Sequence, residues 1–149
     1  MRVEHGIELP VPRAEAWSVL TDWERQADWM LDADRVDVRS GRREGVGVRL
    51  VARTRVLGVL AFDEPIEVIA WEPPTRLEIR HGSVVVGIGV WTLDATEGGT
   101  TFGWSEDVRL RVPLVGGLAA RLYRPVLRWL MGRSLAALRR HVIAIGPVR

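Results

Sequence analysis

Glu106 is the acid in this chain whose surroundings raise a chemical question. It alternates in step with Phe102, Trp104, Val108 and Leu110, so a strand over 100–111 aims its carboxylate to the same side as these apolar neighbours. An ionised carboxylate in such company must find a partner, give up its charge, or escape through a bulge. Two readings stand open: a bulge or a pairing with an arginine, and a pocket carboxylate that binds a ligand hydroxyl or moves a proton. His81 shares its face with Leu77 and Ile79, while Arg76, Glu78 and Arg80 point the other way. It is either a satisfied or rim histidine or a general base. Glu64 runs in step with Leu60 and Phe62, but Pro65 beside it unsettles its direction, and it ranks below Glu106. Tyr123 falls on the apolar side of the last helical segment with Leu127 and Leu130, where its hydroxyl meets either a ligand or a backbone carbonyl.

Other chemistries lack their residues. There is no cysteine, which removes disulfides, thiolate catalysis and Cys-ligated zinc together. His5, His81 and His141 lie on different elements with no carboxylate at ligand spacing, so neither a metal nor a cofactor is expected. Gly41–Gly47 (GRREGVG) lacks the lysine and following helix of a phosphate loop and reads as a mobile hairpin at a cavity mouth. Seven Trp stand against two Phe and one Tyr. Trp17, Trp23, Trp71 and Trp91 read as core packing, and Trp29, Trp104 and Trp129 as candidates for a cavity wall.

The elements that must position these residues follow from periodicity. Val3–Leu9 forms a first strand, ended by Pro10 and Pro12, and Pro12 suits the first turn of a helix over Arg13–Thr21. Asp22 is placed to cap a second short helix, Trp23–Leu31. From Val36 the period becomes two. Val46, Val48, Leu50, Ala52, Thr54 and Val56 take one face of a half-buried strand, which puts Leu50 on the inner side. Val59–Trp71 follows, with Pro65 at a bulge or edge, then a turn at Glu72–Thr75, a strand over 76–81 and an interior strand over Val84–Leu93. After the Glu97–Gly99 hairpin, Thr100–Arg111 is the last strand. Leu114–Ile145 is the one long helix-period segment, with Leu118, Leu122, Val126, Trp129, Leu130 and Met131 on one face. Beyond Gly132 that face moves round to Leu135, Leu138, Val142 and Ile145, and Pro125 predicts a kink or break within 121–132.

The layout is α+β: about seven antiparallel strands, two short helices after the first, and one long helix that the sheet must cover. A sheet bent round a single helix leaves a gap that suits a ligand, lined by Leu50, Phe62, His81, Trp104, Glu106, Tyr123 and Leu127. At 149 residues the chain reads as one domain, 1–149. Its longest uncharged run, within 82–93, is too short to span a bilayer, and Arg2, Glu4 and Glu8 interrupt the start, so a cytoplasmic protein is expected. The pI of about 10.2 beside a net charge of +2 is not a nucleic-acid signal. Every basic residue is Arg, so little titrates above neutrality. Arg121, Arg124 and Arg128 read as a solvated helix face or as attraction to anionic lipid or an acidic partner beside Leu114–Leu118, a peripheral membrane contact.

The order of elements resembles the helix-grip fold of the START-like superfamily, which includes polyketide cyclases, lipid-transfer proteins and the Bet v 1 allergens. The residues that carry the resemblance are Pro12–Trp29 (PRAEAWSVLTDWERQADW), Gly58 with Asp63-Glu64-Pro65, Trp71–Leu77 (WEPPTRL), Trp91-Thr92-Leu93 before Gly98–Thr101, and Arg133–Arg140 (RSLAALRR). It spans essentially the whole chain and is nearest the bacterial polyketide cyclase/dehydrase and lipid transport group. These are fold motifs without a catalytic signature. The resemblance implies a binder of a hydrophobic small molecule such as a lipid, polyketide or isoprenoid. It also leaves a cyclase or dehydratase, and an interaction module of the coenzyme Q-binding or antitoxin-like type. Converging polar side chains in the cavity favour the enzyme, a dry apolar cavity the carrier, and a filled one the interaction module.

Overall fold

The computed structural model describes residues 1–56 and 58–145. Its order is β1 (Arg2–Leu9), α1 (Arg13–Leu20), a 3-10 helix (Trp23–Asp28), β2 (Ala33–Val38), β3 (Arg49–Val56), β4 (Leu60–Glu72), β5 (Arg76–Gly82), β6 (Val85–Thr96), β7 (Gly99–Leu110) and α2 (Gly116–Ile145). The strands form one antiparallel sheet of seven in the order β1-β7-β6-β5-β4-β3-β2. From β2 to β7 each strand pairs with its sequence neighbour through a hairpin, and β1 closes on β7. The sheet curls into a half-barrel around α2, and this is the helix-grip fold.

Alternation does the work expected of it. In β3 Leu50, Ala52 and Thr54 are buried, and in β7 Thr100, Phe102, Trp104, Glu106 and Val108 are buried. Pro65 in β4 faces Val51 of β3, one residue before the first β4–β5 pair, Ile66–His81. Its missing N–H thus falls where β4 outruns β5, an edge position. The short helices dock their apolar sides on the sheet, and Trp17 packs edge-on to Trp71 with ring centres 5.1 Å apart. The second short helix is of the 3-10 type and ends at Asp28, earlier than Leu31, and Asp22 precedes it without a side-chain cap. The hairpin over 41–47 lines no part of the cavity described below. It is fastened instead: Arg43 holds Glu24 through two hydrogen bonds of 2.8 and 2.6 Å, and the Trp23 indole N–H donates to the Arg43 carbonyl.

The long helix is continuous through Pro125, so the proline makes no break. Its apolar face corrects an expectation. Its buried residues are Leu130, Met131, Ser134, Leu135, Leu138 and Val142, whereas Leu118, Leu122 and Trp129 are exposed. In its first half the helix turns Tyr123 and Leu127 toward the cavity, and from Leu130 on the buried side takes in Met131, Ser134, Leu135, Leu138 and Val142. The first half of α2 is apolar on two opposite sides, and periodicity has no means of choosing between them. Among the described residues no helix is long and apolar enough to cross a membrane.

Candidate functional site

The inward rows of four strands place a line of polar side chains across the sheet. Thr54 comes from β3, Glu64 from β4, His81 from β5, and Trp104 and Glu106 from β7. The His81 ring donates through Nδ1 to Glu64 Oε1 at 2.7 Å and through Nε2 to Glu106 Oε2 at 2.9 Å. Thr54 Oγ1 donates to Glu64 Oε2 at 3.3 Å, and the Trp104 indole N–H donates to Glu106 Oε1 at 2.8 Å. All of these residues are buried.

His81 and Glu106 are not on neighbouring strands, because β6 lies between β5 and β7. The strand crossed is bare there: Gly87 is opposite His81, and Gly89 is opposite Glu106. A Cβ at Gly89 would stand 2.9 and 3.0 Å from the two Glu106 carboxylate oxygens and 3.0 Å from Ile79 Cγ1. Glycine in this strand is the space the carboxylate occupies. Gly89→Ala is expected to push Glu106 off His81 and Trp104, lowering stability by about 1–3 kcal/mol as a buried acceptor and two donors lose their partners. Titration of the His81 ring by NMR should move below that of the parent protein. An unchanged titration would show that the carboxylate does not need that space.

The proton count follows from the geometry. Each of the two bonds at the ring holds one proton, so Glu64, His81 and Glu106 together carry a charge of −1 wherever those protons sit. Burial alone pushes the imidazole pKa down, but the hydrogen bonds from Glu106 and Glu64 and their charges outweigh it and raise it to about 10. His81 is therefore an imidazolium at neutral pH, a fixed cation between two carboxylates. A ring held this way is a poor general base.

These groups floor a cavity between the sheet and α2. Its walls include Leu50, Phe62, Ile79, Trp91, Leu127 and Leu130, and its volume is about 90 Å³. Asp32, in the turn before β2, Gln26 of the 3-10 helix, and Tyr123 and Ser134 of α2 complete its polar lining. Burial raises the Asp32 carboxyl to about 6; Glu64 and Glu106 push it the same way, against its own backbone hydrogen bond and His81. Burial, followed by the charges of Asp32, Glu64 and Glu106, raises the Tyr123 hydroxyl, which keeps its proton. Among the described residues no arginine lines the cavity.

Leu50, Phe62, His81, Trp104, Glu106, Tyr123 and Leu127 all line this one cavity. The partner of Glu106 is a histidine and not an arginine, and His81 does have carboxylates beside it, supplied by β4 and β7. Sequence spacing shows neither, because both contacts are made across strands. Glu64 is an equal partner of Glu106 in the arrangement. Trp23 and Trp91 line the cavity, whereas Trp29 is fully buried against Trp91 with its indole N–H unpaired and Trp129 is on the surface. Thr54, Asp32 and Gly89 were not singled out from the sequence. The Gly87-x-Gly89 pair inside an apolar interior strand is the signal that marks a close approach. Among the described residues no three of His, Cys, Asp or Glu are arranged to hold a metal ion.

A family model described as polyketide cyclase / dehydrase and lipid transport matches residues 1–142. No curated protein sequence matches the chain. Among solved structures it is similar to TTHA0849 from Thermus thermophilus, with 19% identity over 99% of this chain and 100% of that one and a TM-score of 0.85. A START superfamily protein from Mycobacterium smegmatis is 14% identical over 97% of this chain and 98% of that one, with a TM-score of 0.75. The di-domain ARO/CYC BexL from the BE-7585A biosynthetic pathway is 17% identical over 95% of this chain and 50% of its own, with a TM-score of 0.76. At these identities the likeness is one of fold.

Proposed function

Since the chain belongs to the polyketide cyclase/dehydrase and lipid transport family, we propose that it binds a hydrophobic small molecule of lipid, polyketide or isoprenoid type between the sheet and α2. The observation that carries this reading is the cavity with apolar walls and few charged groups, Asp32, Glu64, His81 and Glu106. Walls of this kind gain about 25 cal/mol for each Å² of ligand surface they take from water, and a few polar groups then fix its orientation. The floor is rich in acceptors, from Glu64, Glu106 and Asp32, and offers no arginine among the described residues. It suits a ligand whose polar end is a hydroxyl or an amine.

The volume of about 90 Å³ limits what enters without movement. A cavity of about 150 Å³ is what admits a benzene-sized molecule. A larger ligand therefore requires the first half of α2 to move outward. That half is suited to it, because every buried residue of α2 lies at or beyond Leu130.

A second reading, acid–base chemistry of the cyclase or dehydratase kind, is favoured by the polar side chains that converge in the cavity, Asp32 above all. Its carboxyl, at about 6, exchanges protons close to neutrality, which is what a general acid or base requires. In this reading Asp32 moves the proton, and the Glu64–His81–Glu106 trio supplies a fixed field.

Thermal melts with a panel of small apolar alcohols and amines test the binding. A ligand at a hundred times its Kd stabilises by about 2.7 kcal/mol, which raises Tm by roughly 5–10 °C in a domain of this size. Ala52→Leu, which fills the cavity from its wall, is expected to abolish the rise. A rise of equal size in that variant, or none with any ligand in the parent protein, would refute the reading. Asp32→Asn divides the two readings: a carrier keeps its ligand, whereas an enzyme keeps the ligand and loses turnover.

A further inference from the structure

The charge of the chain is divided in two. From Val108 to the end the sequence holds nine arginines and no Asp or Glu. Residues 1–107 hold all 19 acids and the other 12 arginines, so a segment at +9 follows one at −7. The basic segment is the end of β7, the 111–115 loop and α2. Arg109, Arg111, Arg121, Arg124 and Arg128 are at the surface. None of them joins an ion pair among the described residues.

The apolar side chains that the fold leaves uncovered collect beside this charge. On α2 the row opposite Tyr123 and Leu127 is Leu118, Leu122 and Trp129, exposed by 58, 66 and 59%. Arg121, Arg124 and Arg128 run along one flank of that row at three- and four-residue spacing. The sheet adds to it. Antiparallel pairing brings the β3–β4 turn, the β5–β6 turn and the exit from β7 to one end of the molecule. Val59 and Leu60 stand exposed at the first, Val84 at the second, and Val112, Leu114 and Val115 at the third. The Arg111 N–H donates to the Val84 carbonyl at 2.8 Å and ties two of these tips together. Leu114, wholly exposed, holds a φ of 68°, a left-handed backbone that leucine adopts only at a cost.

We infer that this end of the molecule docks on an anionic lipid bilayer, with the aliphatic tips in the headgroup–acyl boundary and the arginines on lipid phosphates. Several observations favour a bilayer over a protein partner. The apolar groups come from separate turns and one helix face, as points around an end and not as a continuous flat patch. The arginines beside them form no ion pair among the described residues, and Asp107 is the nearest acid in the sequence. A long amphipathic helix with arginines flanking an exposed Leu–Leu–Trp row is the pattern that lies in a membrane interface. His81 is one residue from the end of β5 at this same end, so the cavity floor lies just inside the docking surface.

The test is sedimentation of the full chain with vesicles, with no cavity ligand present. Vesicles of phosphatidylcholine containing phosphatidylglycerol are expected to bind it, and phosphatidylcholine alone about tenfold more weakly or not at all, with the difference shrinking at high salt. Leu118→Ser with Leu122→Ser should lose binding at an unchanged Tm, since neither side chain is packed in the fold. Arg121→Gln with Arg128→Gln should lose the preference for the anionic lipid. Ala52→Leu, which fills the cavity, should bind vesicles as the parent does, so this outcome stands apart from that of the ligand-binding proposal. Indifference to anionic lipid, or vesicle binding unchanged in the Leu118/Leu122 variant, would overturn the inference. So would a dimer in solution that the same variant dissociates, because the stripe would then belong to a second copy of the chain.

Discussion

Replacing His81 by leucine is expected to cost about 3–5 kcal/mol near neutral pH, the penalty for removing one partner of a buried ion pair. The imidazolium is what allows Glu64 and Glu106 to be buried together, since each accepts one of its two N–H bonds. Without it two carboxylates face one cavity, and among the described residues Thr54 and Trp104 are the side chains that still donate to them. The pH dependence separates this account from loss of packing. In the parent protein the ring's pKa is raised from 6.5 to about 10. A raised basic group contributes stability that is fully present below its unfolded pKa and is lost as pH rises through the folded one. The Tm should therefore fall between about pH 6.5 and 10. In His81→Leu that fall should vanish. Melts followed by circular dichroism from about pH 5 to 10 read both slopes. A variant with the parent's slope above neutrality would show that His81 is not the titrating group.

A chain ended at Arg111 is expected not to fold. The helix it would lack buries Leu130, Met131, Leu135, Leu138 and Val142 against the sheet. At about 1.5–3 kcal/mol for each large side chain taken from water, these alone contribute roughly 10 kcal/mol. That is comparable to the whole stability of an ordinary domain, about 5–15 kcal/mol. The truncation also removes Ser134, whose Oγ accepts the Leu31 N–H at 3.0 Å, and exposes the concave face of a seven-stranded sheet. A soluble 1–111 fragment with a cooperative melt would show that the sheet finds its core without α2.

Gln in place of Glu106 illustrates how specific the arrangement is. The residue receives two hydrogen bonds, from His81 and from the Trp104 indole, on its two oxygens. A carboxamide has one oxygen and one NH₂ group, so it satisfies only one of these donors and turns an N–H toward the other. Shape is preserved, but the second hydrogen bond is lost.

Much of this was legible in the sequence, for a local reason. Side chains alternate along a strand whatever the strand pairs with, so period two sufficed to turn Leu50, His81, Trp104 and Glu106 inward. Pro and Gly marked where the hairpins fall, and the length of the 114–145 segment marked the helix. What alternation leaves open is the neighbour. Glu64, His81 and Glu106 are 17 and 25 residues apart, and they meet only because hairpin registers align β4, β5 and β7 over two glycines of β6. Register is a property of pairs of strands, and for that reason the readings open for Glu106, a bulge, an arginine or a ligand, did not include the histidine that the fold supplies. The helix face was undetermined for a similar reason. Two apolar stripes on the first half of α2 satisfy one periodicity equally, and the curvature of the sheet turned Tyr123 and Leu127 inward and left Leu118 and Leu122 to the surface.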